Sequence, residues 1–156
     1  MKVFKFLLAL ALSFIPGALG ILWTPTSGGS AWYSTLAHPI LTPPSWFFGV
    51  MWTTLYLLLA VAFYLVIRTA KASREKLLSI ELFVTHIILN ASWSYVFFGE
   101  HLITFGAVMI IALIIVAFMM SQEFGRSHRY ARILVIPYIV WLFCALYLNT
   151  GIYFLN

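Results

Sequence analysis

"SWFFGVMWTTLYLLLAVAFYLVI", residues 45–67, runs without a formal charge from one end to the other. A helix needs roughly 20 consecutive, mostly apolar residues to cross a bilayer. Backbone in lipid must satisfy its own hydrogen bonds, so this stretch reads as a spanning helix. Four further runs of the same kind lie around it, at about 3–23, 77–98, 102–122 and 131–153. Together the five consume most of the 156 residues. Hydrophobic residues make up 63% of the chain and charged residues only 8%, against about a quarter charged in soluble domains. Lipid is therefore the main solvent. The expectation is an all-α integral membrane protein: one domain over 1–156, a bundle of five spanning helices, with a long structured first loop at 24–43.

The formal net charge of +5 would fit a nucleic-acid partner, but its placement argues against one. The nine Lys and Arg cluster at the ends of apolar runs: Lys2 and Lys5, then Arg68, Lys71, Arg74 and Lys76, then Arg126, Arg129 and Arg132. The first loop, the third loop and the C-terminal end carry none. That alternation is the positive-inside pattern. It places the N-terminus in the cytoplasm, with loop 24–43 and the C-terminus across the membrane, and it suits a bacterial cell membrane. The first run resembles a signal peptide, with Lys2, Lys5 and the small-residue stretch "PGALG" (16–20). Cleavage would break the charge alternation, so a retained helix is expected, loosened or kinked near Pro16, Gly17 and Gly20. Cys144 stands alone, so no intrachain disulfide can form.

The 24–43 segment contains "WYSTLAHPI" (32–40), bounded by "TPTSGG" (24–29) and "LTPP" (41–44). Connections of this length in a compact bundle are uncommon and tend to be lids or disordered. Ser30 is placed to cap a short helix over "AWYSTLA" (31–37) that Pro39 stops. Thr42 is placed to cap the second span, with Pro43 and Pro44 at its start. Trp32 and Tyr33 read either as an interfacial aromatic belt or as part of a lid over a pocket.

Polar residues within spans are costly and tend to face the bundle interior. Helical spacing puts His86, Asn90, Trp93 and Phe97 on one stripe of the third span. Glu81 falls nearly opposite, as a carboxylate reaching towards Lys76 or its neighbours. His86 and Asn90 serve either interhelical hydrogen bonding or a proton relay or ligand contact. The second span carries Gly49, Trp52, Tyr56 and Phe63 along one face. The fifth carries Tyr138, Trp141, Ala145 and Leu148, with Asn149 close by. Either these stripes are ordinary aromatic packing, or they line a flat apolar cavity suited to a planar ligand. Pro137 frees a carbonyl and is expected to kink the fifth helix.

Several chemistries are missing. There is no Gly-rich phosphate loop and no His/Cys spacing for a metal, so no metal site is expected. All four acidic residues are Glu, which excludes a Ser-His-Asp triad. His38, His86, His101 and His128 fall in four different elements; a single axial haem ligand stays open.

The blocks "WYSTLAHPILTPPSWFFGVMWTTLY" (32–56), "LNASWSYVFFG" (89–99) and "LVIPYIVWLFCALYLN" (134–149) resemble the first loop and second helix, the third helix and the fifth helix of the tryptophan-rich sensory protein / translocator protein (TspO/MBR) family. The resemblance spreads over nearly the whole chain. It implies a five-helix bundle, often a homodimer, that binds porphyrins such as protoporphyrin IX, and in many members sterols and benzodiazepine-type ligands. It implies a membrane receptor or carrier for tetrapyrrole sensing, transport or regulation. The pocket it implies takes Trp32, Tyr33, Pro43 and Pro44 from the loop, Gly49, Trp52 and Tyr56 from the second helix, Asn90 and Trp93 from the third, and Trp141, Ala145 and Leu148 from the fifth. No resident cofactor is implied; a porphyrin enters as ligand or substrate. Some members promote light- and oxygen-dependent porphyrin breakdown, which would assign Trp52 and Trp141 as catalytic. A proton-coupled transporter using Glu81 and His86 is a third reading.

Two departures stand out. His86 occupies a position where many members carry Gln, which adds a titratable group to the pocket or exchanges one hydrogen bond for another. The sequence "LYLNTGIYFLN" (146–156) lacks the basic residue of the sterol-associated pattern, itself a weak motif, so sterol binding is less supported than porphyrin binding. For a dimer, Thr85 and Ser92 offer a small-residue face on the third helix, without a GxxxG.

Overall fold

The apolar runs fold as helices whose ends are set by charge and by proline. A computed structural model describes residues 2–24, 31–70 and 73–156. The helices are α1 (Lys2–Gly20), a short α2 (Ala31–Thr35), α3 (Ser45–Thr69), α4 (Ser73–Ser94), α5 (Ile103–Ser127) and α6 (Arg129–Leu155). A π-helical turn, Tyr95–Gly99, extends α4. All but α2 are long and apolar enough to cross a membrane, with α4 and the π turn acting as one span.

Helix ends depart from expectation in instructive ways. α1 stays helical through Pro16 and ends at Gly20, short of residue 23. Thr42 does not cap α3. Its hydroxyl donates to the Pro39 carbonyl (2.7 Å), and the cap position falls to Pro44, in extended backbone with no side-chain cap bond. The proline pair accounts for part of this: Pro44 holds Pro43 out of the helical region, and Pro44 itself stands in extended backbone, so the helix begins at Ser45. Ser30, the expected cap of α2, lies outside the described residues, and α2 itself ends at Thr35 rather than Ala37. α6 accommodates Pro137 internally.

The spanning helices close into a ring, in the order α1, α3, α6, α5, α4 and back to α1, and α3 also touches α4 and α5 across the interior. At the end of the bundle where α3 finishes and α6 starts, Phe63 of α3 stacks on Phe83 of α4 (3.9 Å between ring centres, 8° between planes). Phe124 of α5 lies 6.3 Å from Phe63. Val66, Met120, Ala131 and Val135 complete this dry layer, each with no exposed surface. The apolar residues left outside, such as Val108, Ile115, Ile133 and Phe143, form the lipid-facing surface of such a bundle.

Candidate functional site

Above that layer the interior turns polar and aromatic. Asn90 of α4 ties three helices together. The Tyr56 hydroxyl of α3 donates to Asn90 Oδ1 (3.3 Å), and Asn90 Nδ2 donates to the Tyr138 hydroxyl of α6 (2.9 Å). All three side chains are buried. Gly17 of α1 makes room for this arrangement: a Cβ there would stand 2.8 Å from the Tyr56 ring.

Trp52 stacks one helical turn above Tyr56 (5.5 Å) and meets Trp141 of α6 at right angles (6.3 Å, 90°). Phe47 and Phe48 close on Trp141 from the start of α3, at 6.0 and 5.9 Å. The Trp141 indole N–H is buried without a protein partner. This first aromatic group is therefore a packed ring cluster between α3 and α6, floored by the Asn90 bonds.

A second group lies beneath α2. Trp93 stacks on Phe97 (5.2 Å, 13°). Trp32 packs its edge on Phe97 (5.5 Å) and stacks flat on His101 (4.1 Å, 15°). Tyr33 meets Phe97, Phe98 and His38, and burial raises its hydroxyl pKa above the usual tyrosine value. The π turn brings Phe97 and Phe98 against α2 together, and such turns recur at functional sites. His101 follows it with φ 58°, the only non-glycine residue in the left-handed region among those described. Gly106 of α5 lies under the group: a Cβ there would stand 2.7 Å from Asn149 Nδ2, 3.0 Å from Phe97 and 3.5 Å from Trp93 Nε1. Trp93 Nε1 and both amide atoms of Asn149 are buried without a protein partner.

The expected site residues thus divide. Trp52, Tyr56, Asn90 and Trp141 converge in one group, Trp32, Tyr33 and Trp93 in the other. Ala145 is half-buried against the core and Leu148 is buried. Pro43 is half-buried, whereas Pro44 and Gly49 are exposed; a Cβ on Gly49 would meet nothing within 4 Å. The small-residue wall expected at Gly49 is therefore open space. The rings fill one another's space, and two concavities lie elsewhere. One of about 400 Å³ sits beside His101, Thr104, Tyr153 and Asn156, and the other between α1 and α3.

His86 is buried beside the Tyr138 ring (4.8 Å), but neither of its ring nitrogens has a protein partner. It is not part of the Asn90 bonding. Glu81 is exposed and forms no ion pair with Lys76, because a five-residue separation turns the two side chains to different faces. The same geometry separates Glu81 from His86. The one ion pair among the described residues joins Glu123 to Arg126 (2.7 Å), and Glu123 is buried. Glu123 lies just past the apolar run at 102–122, and no spacing in the sequence pointed to it.

Loop residues 36–44 are anchored as well as stacked. Asn156 Oδ1 accepts from the Ala37 N–H (2.9 Å), and Asn156 Nδ2 donates to the Ala37 carbonyl (3.1 Å). Pro39 is buried against Gly151, where a Cβ would come within 2.8 Å of its ring.

Among the described residues no three His, Cys or Glu side chains converge as metal ligands. The chemistry on offer is that of aromatic faces with a few single polar groups.

Such a bundle, with its aromatic cluster and stacked loop, defines a class of five-helix membrane protein, and comparison narrows the class. A profile described as the TspO/MBR family matches residues 6–155, and the chain belongs to that family. Similar proteins include the tryptophan-rich protein TspO of Archaeoglobus fulgidus, 34% identical over 100% of this chain and 99% of the relative. The protein of the same name from Chlorobaculum tepidum is 32% identical over 99% and 98%. The translocator protein of Ovis aries is 27% identical over 90% and 85%.

Proposed function

We propose that this membrane protein is a receptor or carrier for a planar, largely apolar ligand of porphyrin type, protoporphyrin IX being the test case. The ligand enters among Trp52, Trp141 and Trp93 beneath the loop that carries Trp32 and Tyr33. One observation carries the reading: the indole N–H groups of Trp141 and Trp93 and the Asn149 amide are buried, unpartnered and set among stacked rings. A buried polar group without a partner costs about 1–3 kcal/mol, so these groups favour a ligand that offers acceptors and a donor along a flat edge. The names of the relatives, translocator and tryptophan-rich sensory protein, lean the same way. Loop 24–43 acts as the lid, and the charge pattern puts it across the membrane from the cytoplasm.

Binding requires the rings to part and the stacked loop above them to shift. In nanodiscs and in darkness, protoporphyrin IX is expected to bind saturably, read by its absorbance and by tryptophan quenching. Linear partitioning, equal to that of empty nanodiscs, would overturn the proposal. The near-perpendicular Trp52–Trp141 pair favours one second reading, a light- and oxygen-dependent porphyrin-degrading enzyme. It calls for a defined product on illumination, formed more slowly in Trp52→Phe or Trp141→Phe with binding retained.

A further inference from the structure

At the end of the bundle where α1 begins and α3 finishes, a groove of about 260 Å³ is lined by Lys2, Lys5, Tyr64 and Arg68. That volume lies below the roughly 300 Å³ where drug-sized pockets begin, a size for a headgroup rather than a whole ligand. Three of the four lining residues are cations. Among the described residues the only ion pair is Glu123–Arg126, so none of the three has a carboxylate partner. Tyr64 is held at the groove by the edge of Phe6 (5.4 Å, 84°).

Below the groove the surface is apolar. Leu57, Val61, Tyr64 and Arg68 follow one another at helical spacing along one face of α3, with Leu57 45% and Val61 36% exposed. On α1, Phe6 is also 36% exposed. A cationic cup at a membrane surface, continuous with an apolar stripe running into the hydrocarbon, matches one kind of molecule in both parts. Basic pockets between spanning helices recognise lipid headgroups this way. The Arg68 fork pairs with two phosphate oxygens, and the lysines act as point charges.

We infer that the α1–α3 groove binds an anionic phospholipid, its phosphate among Lys2, Lys5 and Arg68 and an acyl chain along Leu57, Val61 and Phe6. The site is separate from the aromatic cluster between α3 and α6 and does not depend on the porphyrin reading.

Native mass spectrometry of the full chain, offered equal phosphatidylglycerol and phosphatidylcholine with identical acyl chains, tests it. Wild type is expected to retain phosphatidylglycerol about tenfold over phosphatidylcholine, and Lys5→Gln/Arg68→Gln to lose that preference, since each surface cation contributes on the order of a few-fold. Arg129→Gln/Arg132→Gln, with charges removed elsewhere at the same end of the bundle, is expected to keep it. Equal retention of both lipids by wild type would overturn the inference. So would equal loss in the control variant, which would mean diffuse charge attraction. Displacement of the lipid by millimolar inorganic phosphate would also overturn it, marking a free-anion site instead. Should the double variant misfold, Arg68→Gln alone, at an exposed helix end, is expected to lose part of the preference; an unchanged ratio there would count against the groove.

Discussion

A methyl group added at Gly106 would press on Asn149 and Phe97, whereas one added at Gly49 would meet nothing within 4 Å. Gly106→Ala is therefore expected to lower stability by about 1–3 kcal/mol, the usual cost of overpacking. Gly49→Ala is expected to be neutral or to stabilise by up to roughly 1 kcal/mol through helix propensity. Thermal unfolding in one detergent compares the two, and equal losses would contradict the packing described. Asn90 and His86 make a similar contrast. Asn90→Leu removes two bonds between helices and leaves the Tyr56 and Tyr138 hydroxyls without their partner. A cost of about 1 kcal/mol is expected, in the range measured for interhelical hydrogen bonds in membranes. His86→Leu removes no protein hydrogen bond and is expected to cost less than Asn90→Leu in the same assay. The stripe holding both residues was legible in the sequence, because a 3.6-residue period reports which face a residue occupies. That Asn90 bridges two tyrosines while His86 bonds neither was not legible, since periodicity carries no information about the facing helix. The close approaches at Gly17, Gly106 and Gly151 were hidden for the same reason.

Three kinds of contact hold the loop. Trp32 and Tyr33 stack on the π turn and His101, Pro39 is buried against Gly151, and Asn156 holds Ala37 through two hydrogen bonds. Asn156→Ala removes the last kind, together with the Asn156 bond to the Ile152 carbonyl at the end of α6. It is expected to speed amide exchange over 31–44 several-fold while leaving the unfolding temperature unchanged, because the Ala37 bonds are exposed and the Ile152 bond lies at the end of α6. An unchanged exchange rate would show that stacking and the Pro39 contact suffice to hold the loop. The prolines and aromatics of this segment gave away its order but not its anchor: Asn156 lies 119 residues from Ala37, and no local pattern links them. The π turn was equally hidden. "YVFFG" (95–99) has no residue that demands a wider turn, and the extra residue is absorbed only because Phe97 and Phe98 both find partners in α2.

For the whole molecule, five apolar runs sufficed to specify five spans, because bilayer thickness sets helix length regardless of packing detail. The cyclic order of the helices was not readable, since each apolar run is apolar nearly all round. Phe83, fully buried and stacked on Phe63, joins α4 to α3 across the interior of that ring. Phe83→Ala is expected to cost about 3–5 kcal/mol, the largest loss among the changes named here, and a cost under 1 kcal/mol would place the core elsewhere. The charge alternation adds an orientation. With Cys144 replaced by Ser, an impermeant thiol reagent applied to intact cells is expected to label Glu100→Cys and to leave Arg129→Cys unlabelled until the cells are opened; the reverse pattern would invert the topology.

The proposed ligand site lies among the packed rings between α3 and α6. Its most direct test is a dark titration of protoporphyrin IX into nanodiscs holding wild type, Trp52→Ala/Trp141→Ala, or Trp46→Ala. Trp46 is 69% exposed and stands outside the Trp52–Trp141 pair. Saturable binding is expected for wild type and Trp46→Ala, with affinity at least about tenfold weaker in the double variant, as the loss of two stacking faces requires. Equal affinity in all three proteins would contradict it and place the ligand on another surface of the bundle.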